Sequence, residues 1–232
     1  MKNSDSGLPA RRRFLTGMGL AATGAAVVSA TGTTSHAQRN RSGFTPARHP
    51  EDNWMDQIAG NHRAFVDSST GAGGVAAMNF ASNIMSAHAA AYQGASEADY
   101  AMIVCFRHDS SPFGFNDAMW EKYGELFSGR TGHRDADTGA PLKINPLSVA
   151  GTYGNRGNTV AAMSARGVHF AICNLSTMGM AGMLARSTGE SRDAVYQELI
   201  SNSIPNGRFV PAGVVAATRA QEYGYSLLYS AG

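Results

Sequence analysis

One cysteine stands at a position where α/β proteins often hold reactive groups. Cys173 follows the apolar run 168–172, which predicts a short strand buried on both faces. Asn174, Ser176 and Thr177 come next, and these residue types open helices. Because a helix N-terminus favours an anion, it would stabilise a thiolate here. Cys173 is therefore a candidate nucleophile, and the alternative is a small buried hydrophobe, as many free cysteines are.

Polar residues at the end of a second predicted strand could act together with Cys173. Residues 100–106 form another apolar run, and Arg107 and His108 follow it directly. The carboxyl ends of parallel strands share one edge of a sheet, so His108 could raise the thiolate fraction of Cys173 or carry a proton. Arg107, which could hold an anion, and Asn174 are the candidate substrate-binding residues. The alternatives are a hydrogen-bonded surface histidine and a solvated arginine.

A glycine-rich segment matches a nucleotide-binding pattern only formally. Residues 71–76, Gly-Ala-Gly-Gly-Val-Ala, fit G-x-G-x-x-A between a predicted strand and a predicted helix. A dinucleotide site also needs an acidic residue at the end of the second strand, about twenty residues further on. Glu97 and Asp99 precede that strand, and Asp109 lies too far along. We therefore interpret the glycines as turn formers and expect no cofactor.

Metal chemistry is the weaker interpretation of the residues around Cys173. Met178, Met180 and Met183 could offer soft ligands to Cu(I). On a helix, however, Met178 points away from the other two, and methionine is more often a core gap-filler. No histidine pair has the spacing of a helical zinc site, and no serine lies in a G-x-S-x-G elbow. We predict no metal site.

The first 37 residues predict export through the twin-arginine (Tat) pathway. The pattern is carried by Arg11, Arg12, Phe14 and Leu15. A weakly apolar run follows, and small residues then place signal-peptidase cleavage after Ala37. The run is too short and too rich in Gly and Thr for a membrane span. We expect a periplasmic protein with no membrane span after cleavage, and the alternative is a chance basic tail.

Removal of this segment changes the charge of the chain. Four of the 19 Lys and Arg residues and one of the 17 Asp and Glu residues lie within residues 1–37. The mature chain would then carry 15 basic and 16 acidic residues. A near-neutral balance implies no basic face for nucleic acid. The remaining length of about 195 residues suits one domain with its own core.

The order of predicted elements is strand then helix, repeated five times. This order predicts an α/β protein, a flavodoxin-like three-layer sandwich with a mostly parallel five-stranded sheet. We divide the chain into the signal (1–37), an N-terminal extension (38–61) and the domain (62–232). Residues 128–158 contain six glycines and little periodicity. Such an insertion is usually a lid, a subunit contact or a disordered segment.

Three segments resemble one known family. Residues 166–173, Arg-Gly-Val-His-Phe-Ala-Ile-Cys, are similar to the segment that leads into the sulfur-carrying cysteine of the DsrE/DsrF-like sulfur-relay family. Residues 209–214, Phe-Val-Pro-Ala-Gly-Val, and residues 220–225, Ala-Gln-Glu-Tyr-Gly-Tyr, support the resemblance. It covers roughly residues 62–232. It implies a flavodoxin-like fold, homotrimers or homohexamers, and a persulfide on Cys173.

The chain departs from that family in two ways, and two classes of function stay open. The best-understood members act in the cytoplasm, whereas this chain carries a Tat pattern, and the 128–158 insertion is not part of the minimal domain. One hypothesis is a sulfur carrier or sulfurtransferase that uses Cys173, with small sulfur species or a sulfur-transfer protein as partner. The other is a non-catalytic periplasmic binding or assembly protein on the same scaffold.

The strand order of a flavodoxin predicts that the two cysteines do not pair. In that order the first strand lies between the second and the third. Cys105 and Cys173, on the second and third strands, would then be about 10 Å apart. A disulfide bridges Cα atoms up to about 7 Å apart. We therefore expect two free thiols, even in an exported protein.

Overall fold

Five strands form one sheet, and each strand is followed or preceded by a helix. The computed structural model describes residue 43 and residues 45–232, and residues 46–232 form one unit. The Tat pattern lies outside the described residues. The strands are β1 (His62–Ser68), β2 (Tyr100–Phe106), β3 (His169–Cys173), β4 (Gly207–Val210) and β5 (Ser226–Ser230). The helices are α1 (Trp54–Gln57), α2 (Gly71–Ala91), α3 (Asp117–Thr131), α4 (Val160–Ala165), α5 (Asn174–Thr188), α6 (Arg192–Ser201) and α7 (Gly213–Glu222).

The sheet is parallel throughout, and the predicted α/β three-layer sandwich is confirmed. Its strand order is β4-β3-β2-β1-β5. Helices α2 to α6 contribute to a large core on one face, built on β-strand residues such as Val104 and Phe170. Helices α1 and α7 cover the other face, where Phe65, Ile103 and Cys105 point. The alternation of side chains along each strand separates these two cores.

The strand order corrects one prediction. The first strand does not lie between the second and third, because β2 pairs directly with β3. Cys105 lies opposite Ala171, so Cys173 is two residues further along the neighbouring strand. A lateral step of one strand and a rise of two residues give a Cα separation of about 8 Å. Both thiols are free, but they are diagonal neighbours on one face rather than separated by a strand.

Among the six described helices longer than four residues, four begin at a side-chain cap and two do not. Thr70, Asn116, Thr159 and Ser191 accept a hydrogen bond from a first-turn N–H group of α2, α3, α4 and α6. Such caps satisfy N–H groups that lack a partner within the helix. Helices α5 and α7 start at Cys173 and Ala212, neither of which caps the helix with its side chain. Both uncapped starts lie at the carboxyl ends of strands.

The glycine-rich segment 71–74 forms the first turn of α2, not the turn that the sequence predicts. A Cβ atom at Gly71 would overlap the backbone of Thr131, and one at Gly73 would overlap the carbonyl oxygen of Ser230. At Gly74 it would lie 2.6 Å from the Phe113 ring. Glycine is needed here because protein atoms approach the helix closely. The space in which a dinucleotide would approach these glycines is filled by the chain itself.

The insertion between α3 and α4 is packed onto the domain. Helix α3 continues to Thr131, so the connection begins at residue 132. Asn145 is fully buried and donates from Nδ2 to the carbonyl oxygens of Phe113 and Phe115, both at 2.9 Å. Asn155, also fully buried, accepts from the backbone of Gly151. These bonds and the buried Leu147 fix the segment, which excludes the disordered insertion considered above.

Among the described residues, no helix combines the length and the apolar character that crossing a membrane requires.

Candidate functional site at the carboxyl edge of the sheet

Cys173 lies at the junction that the sequence predicts. It is the last residue of β3 and the residue from which α5 begins, and it is 5% exposed. Thr177 donates from Oγ1 to the Cys173 carbonyl oxygen at 3.0 Å. The first turn of α5 contains no acidic residue. The positive end of the helix dipole is therefore not offset by a carboxylate of its own first turn.

Cys105 lies one strand away in a different environment. Its side chain is fully buried, and its cross-strand neighbour on β1 is Asp67. Burial raises the pKa of the Cys105 thiol well above its ordinary value, and the nearby charge of Asp67 raises it further. Cys105 therefore stays protonated inside the sheet. Both thiols are buried, and they differ in their position along the strand and in their polar neighbours.

Arg107 is already bound to a carboxylate of the protein. Its Nε and Nη2 atoms donate to the carboxylate oxygens of Asp67 at 2.9–3.1 Å, in a two-pronged contact. This hydrogen bond raises the pKa of Arg107. The guanidinium carbon lies 5.7 Å from the centre of the Tyr229 ring. Arg107 is at the predicted edge, but the anion that it holds in the structure is Asp67.

His108 also lies at the predicted edge, with its ring turned to a different partner. Its backbone N–H donates to Oγ of Ser176, in the first turn of α5, at 3.0 Å. This bond joins the end of β2 to the helix that follows Cys173. The ring Nδ1 lies 3.0 Å from Oδ2 of Asp109, and the side chain is 69% exposed. Among the described residues, no hydrogen bond joins the ring to Cys173. A role for His108 in proton transfer stays a prediction.

Asn174 lines an open cleft beside Cys173. Its Oδ1 accepts from the hydroxyl of Tyr196 at 2.8 Å. The cleft has a volume of about 300 Å³ and is lined by Glu51, Asp52, Asn174, Phe209, Val210 and Pro211. Cys173 borders it through two neighbours: it precedes Asn174 in the chain and pairs with Val210 across β3 and β4. The structure therefore places a small cleft next to Cys173, although Cys173 is not among its lining residues, and the sequence did not predict this cleft.

A larger cleft lies between α3 and α5. Its volume is about 480 Å³, and its walls are mostly apolar, with Leu126, Met183 and Leu184 among them. At one end, Lys122 pairs with Glu198 at 2.8 Å. At the other end, Arg130 pairs with Asp109 at 3.0 Å. Its size is within the range of ligand pockets, and Cys173 is not among its lining residues.

The methionines near Cys173 have different surroundings. Met180 is fully buried in the large core, whereas Met183 lines the α3–α5 cleft. Within the part of the chain that the structure describes, no group of three or more His, Cys, Asp and Glu side chains is placed to hold a metal ion. Met180 thus packs as a core residue does.

Sequence reasoning missed two acidic residues of this edge. It named no role for Asp67, which lies within β1 beside Cys105 and Arg107. It also named no role for Asp52 of the N-terminal extension, which is largely buried and lines the cleft beside Cys173. The only sequence signal for Asp67 was its position directly after the apolar residues 64–66. No family model, curated protein or solved structure matches the chain.

Proposed function

We propose that the protein is a sulfur carrier or sulfurtransferase that holds sulfane sulfur as a persulfide on Cys173. The observation that carries this proposal is the position of Cys173, at the uncapped start of α5 and beside an open cleft. Helix N-termini favour the thiolate form that attacks sulfur. The resemblance of residues 166–173 to the DsrE/DsrF-like family favours sulfane sulfur over other thiol substrates.

The reaction needs no external oxidant. The Cys173 thiolate attacks the sulfane sulfur of a polysulfide, which forms a new S–S bond on Cys173 and breaks one in the donor. The shortened donor leaves with the bonding electron pair. In the return step an acceptor thiolate attacks the outer sulfur of the persulfide, and Cys173 leaves as thiolate. His108 is the candidate carrier of the thiol proton because it lies on the same edge.

Persulfide formation tests the proposal directly. Polysulfide treatment of the purified mature protein should add about 32 Da to Cys173, and dithiothreitol should remove it. Cys173→Ser should abolish the gain, and Cys105→Ser is the matched control that should keep it. Circular dichroism of both variants should match the wild type. A gain that persists in Cys173→Ser, or that is absent from the folded wild type, would disprove the carrier role.

Self-association is part of the same proposal, as a homotrimer or homohexamer. Apolar side chains are exposed on α7 and on the edge strand β5, namely Val214, Val215, Leu227, Leu228 and Tyr229. Clusters of exposed apolar residues often mark contact surfaces. Sedimentation should give a mass of three or six chains. A monomer at micromolar concentration would contradict this part alone.

The alternative function is a non-catalytic binding or assembly protein. The α3–α5 cleft supports it, because a largely apolar cleft of about 480 Å³ can accept a ligand without any role for Cys173. If Cys173 takes up no sulfur while the protein binds apolar molecules, this alternative is the better account.

We also propose that the protein reaches the periplasm through the Tat pathway, on the sequence pattern of residues 11–15. Replacement of Arg11 and Arg12 by Lys should leave the precursor in the cytoplasm, as fractionation and immunoblotting would show. Export of that double variant at the wild-type level would contradict the Tat assignment.

A further inference from the structure

The edge strand β5 exposes apolar side chains on both of its faces. Among the described strands it pairs with β1 alone, so its outer row of backbone N–H and C=O groups bonds to no other strand. Leu227 and Leu228 are each 42% exposed, and Tyr229 is 49% exposed. Because side chains alternate along a strand, Leu227 and Tyr229 lie on one face and Leu228 lies on the other. The outer edge of β5 therefore presents unpaired hydrogen-bonding groups between apolar side chains.

The opposite edge of the sheet carries protection that β5 lacks. Strand β4 forms that edge; it contains the exposed Arg208, and Pro211 follows it directly. Charged side chains and prolines hinder an edge strand from pairing with another chain. Strand β5, Ser-Leu-Leu-Tyr-Ser, contains no charge and no proline, and its register with β1 runs without a bulge. An apolar edge without these devices is a surface to which another strand can add.

The sequence of β5 is complementary to itself when two copies run antiparallel. If Leu228 of one copy lies opposite Leu228 of the other, Leu227 lies opposite Tyr229 and Ser226 lies opposite Ser230. Each apolar side chain then faces an apolar one, and each serine faces a serine, on the same face of the sheet. Centring the pair on Leu227 or Tyr229 would instead place a serine opposite Leu228. The match therefore selects one register and one partner, a second copy of this chain.

We propose that β5 pairs with β5 of a second copy, antiparallel and centred on Leu228, so that two five-stranded sheets become one. This contact deepens the self-association proposed above and does not depend on the chemistry of Cys173. A homohexamer built from three such pairs contains the contact, whereas a closed homotrimer has no two-fold axis. The contact borders the candidate site: the Tyr229 hydroxyl lies 2.6 Å from Oγ of Ser69, and its ring centre lies 5.7 Å from the guanidinium carbon of Arg107.

Cysteine cross-linking tests the register, with Cys173→Ser as the parent protein. Directly opposite residues of antiparallel strands have Cα atoms about 4.5–5.5 Å apart, a distance that a disulfide can bridge. Mild oxidation at micromolar concentration should therefore link Leu228→Cys chains in pairs, as non-reducing electrophoresis shows. Leu227→Cys is the matched control, because its counterpart lies diagonally at about 8 Å and should not link. A mixture of Leu227→Cys and Tyr229→Cys should link, because those two positions face each other.

Leu228→Lys tests the contact without a cross-link. It places two ammonium groups opposite each other, and such a like-charge contact should raise the dissociation constant of the pair by at least about 100-fold. Sedimentation velocity over a range of concentrations measures that constant. Ile144→Lys, the same kind of change at a residue that is 41% exposed in the α3–α4 insertion, is the matched control and should assemble as the wild type does. Circular dichroism should show that both variants are folded.

The outcomes separate the strand contact from the sulfur chemistry. A wild-type monomer or trimer at micromolar concentration would overturn the strand contact. Equal cross-linking of Leu228→Cys and Leu227→Cys, or an unchanged mass of folded Leu228→Lys, would overturn it as well. Polysulfide treatment of Leu228→Lys should still add about 32 Da to Cys173. Paired strands without that gain would disprove the carrier role alone, and the gain without paired strands would disprove the strand contact alone.

Discussion

Cys105 and Cys173 lie on neighbouring strands and the same face of the sheet, yet their surroundings differ. Cys105 is enclosed within β2, with Asp67 beside it on β1. Cys173, two residues further along the shared edge, is where β3 ends and α5 begins. The comparison shows that two residues of the same type, on neighbouring strands, have different surroundings because one of them lies where a strand turns into a helix.

The polar groups near the two cysteines act in opposite directions. At Cys105 the closest charge is the carboxylate of Asp67, which opposes a thiolate. At Cys173 the chain turns into α5, whose first-turn N–H groups have no capping side chain and whose first turn contains no acidic residue. The pair Asp67–Arg107 joins β1 to the end of β2, on the side of Cys105 that faces away from β3.

The largest expected effect is on alkylation. At pH 6.5 iodoacetamide should modify Cys173 at least about 100-fold faster than Cys105, because a fully buried thiol reacts only after the structure opens. Peptide mass spectrometry over a time course measures both rates in one sample. In guanidinium chloride, where the chain is unfolded, the two rates should converge. Equal rates in the native protein would remove the distinction between the two sites, and with it the carrier proposal.

Stability at alkaline pH tests the Cys105 side of the comparison. The folded state raises the pKa of Cys105, so above the ordinary value of 9.0 the unfolded chain loses a proton that the folded chain keeps. The contribution of Cys105 is therefore fully present below pH 9.0 and is lost as pH rises. The loss should approach about 1.4 kcal/mol per pH unit.

Denaturant unfolding at several pH values between 8 and 11 measures this slope. Other groups titrate in the same range, so the relevant quantity is the difference between the wild type and Cys105→Ala. Cys173→Ala is the matched control, since it removes a thiol from the same face and leaves Cys105 in place. Parallel curves for the wild type and Cys105→Ala would show that Cys105 ionises as freely in the fold as outside it.

Periodicity and capping residues predicted the elements of this fold but not their order in the sheet. The run 100–106 became β2, and α5 begins at Asn174 as expected. Strand order depends on which face each connecting helix covers, because right-handed crossovers on one face advance the sheet in one direction. Helices α2 to α6 share one face, so β1 to β4 follow in sequence. Helix α7 lies on the other face, and β5 returns to the side of β1.

The sequence predicted only those residues of the candidate site that lie at the end of a strand or directly after it. Cys173, Arg107 and His108 are such residues, and the structure places all three at one edge. Asp67 acts through a contact with Arg107, 40 positions away in the chain, which no local pattern reveals. Asp52 reaches the cleft because Trp54 and Met55 pack beneath the sheet and bring their segment with them. Such tertiary contacts have no periodic signal.

The smallest expected effect is that of a substitution at Gly213, where α7 begins next to Arg107 at the carboxyl edge of the sheet. A Cβ atom at Gly213 would lie 2.6 Å from Cβ and 2.8 Å from Cδ of Arg107. Gly213→Ala must therefore displace Arg107 from its two-pronged contact with Asp67. Overpacking of this kind costs about 1–3 kcal/mol. Opening the edge should also raise the alkylation rate of Cys105 and leave that of Cys173 nearly unchanged.

Gly179→Ala in α5 is the matched control for this change. No atom lies within 4 Å of a Cβ atom at Gly179. Replacement of an interior helical glycine by alanine then stabilises the fold by about 0.5–1 kcal/mol. Denaturant unfolding should place the two variants on opposite sides of the wild type. If Gly213→Ala is also stabilised and Cys105 remains unreactive, the contact between α7 and Arg107 does not protect Cys105. Burial within β2 would then account for the difference between the two thiols without help from the edge.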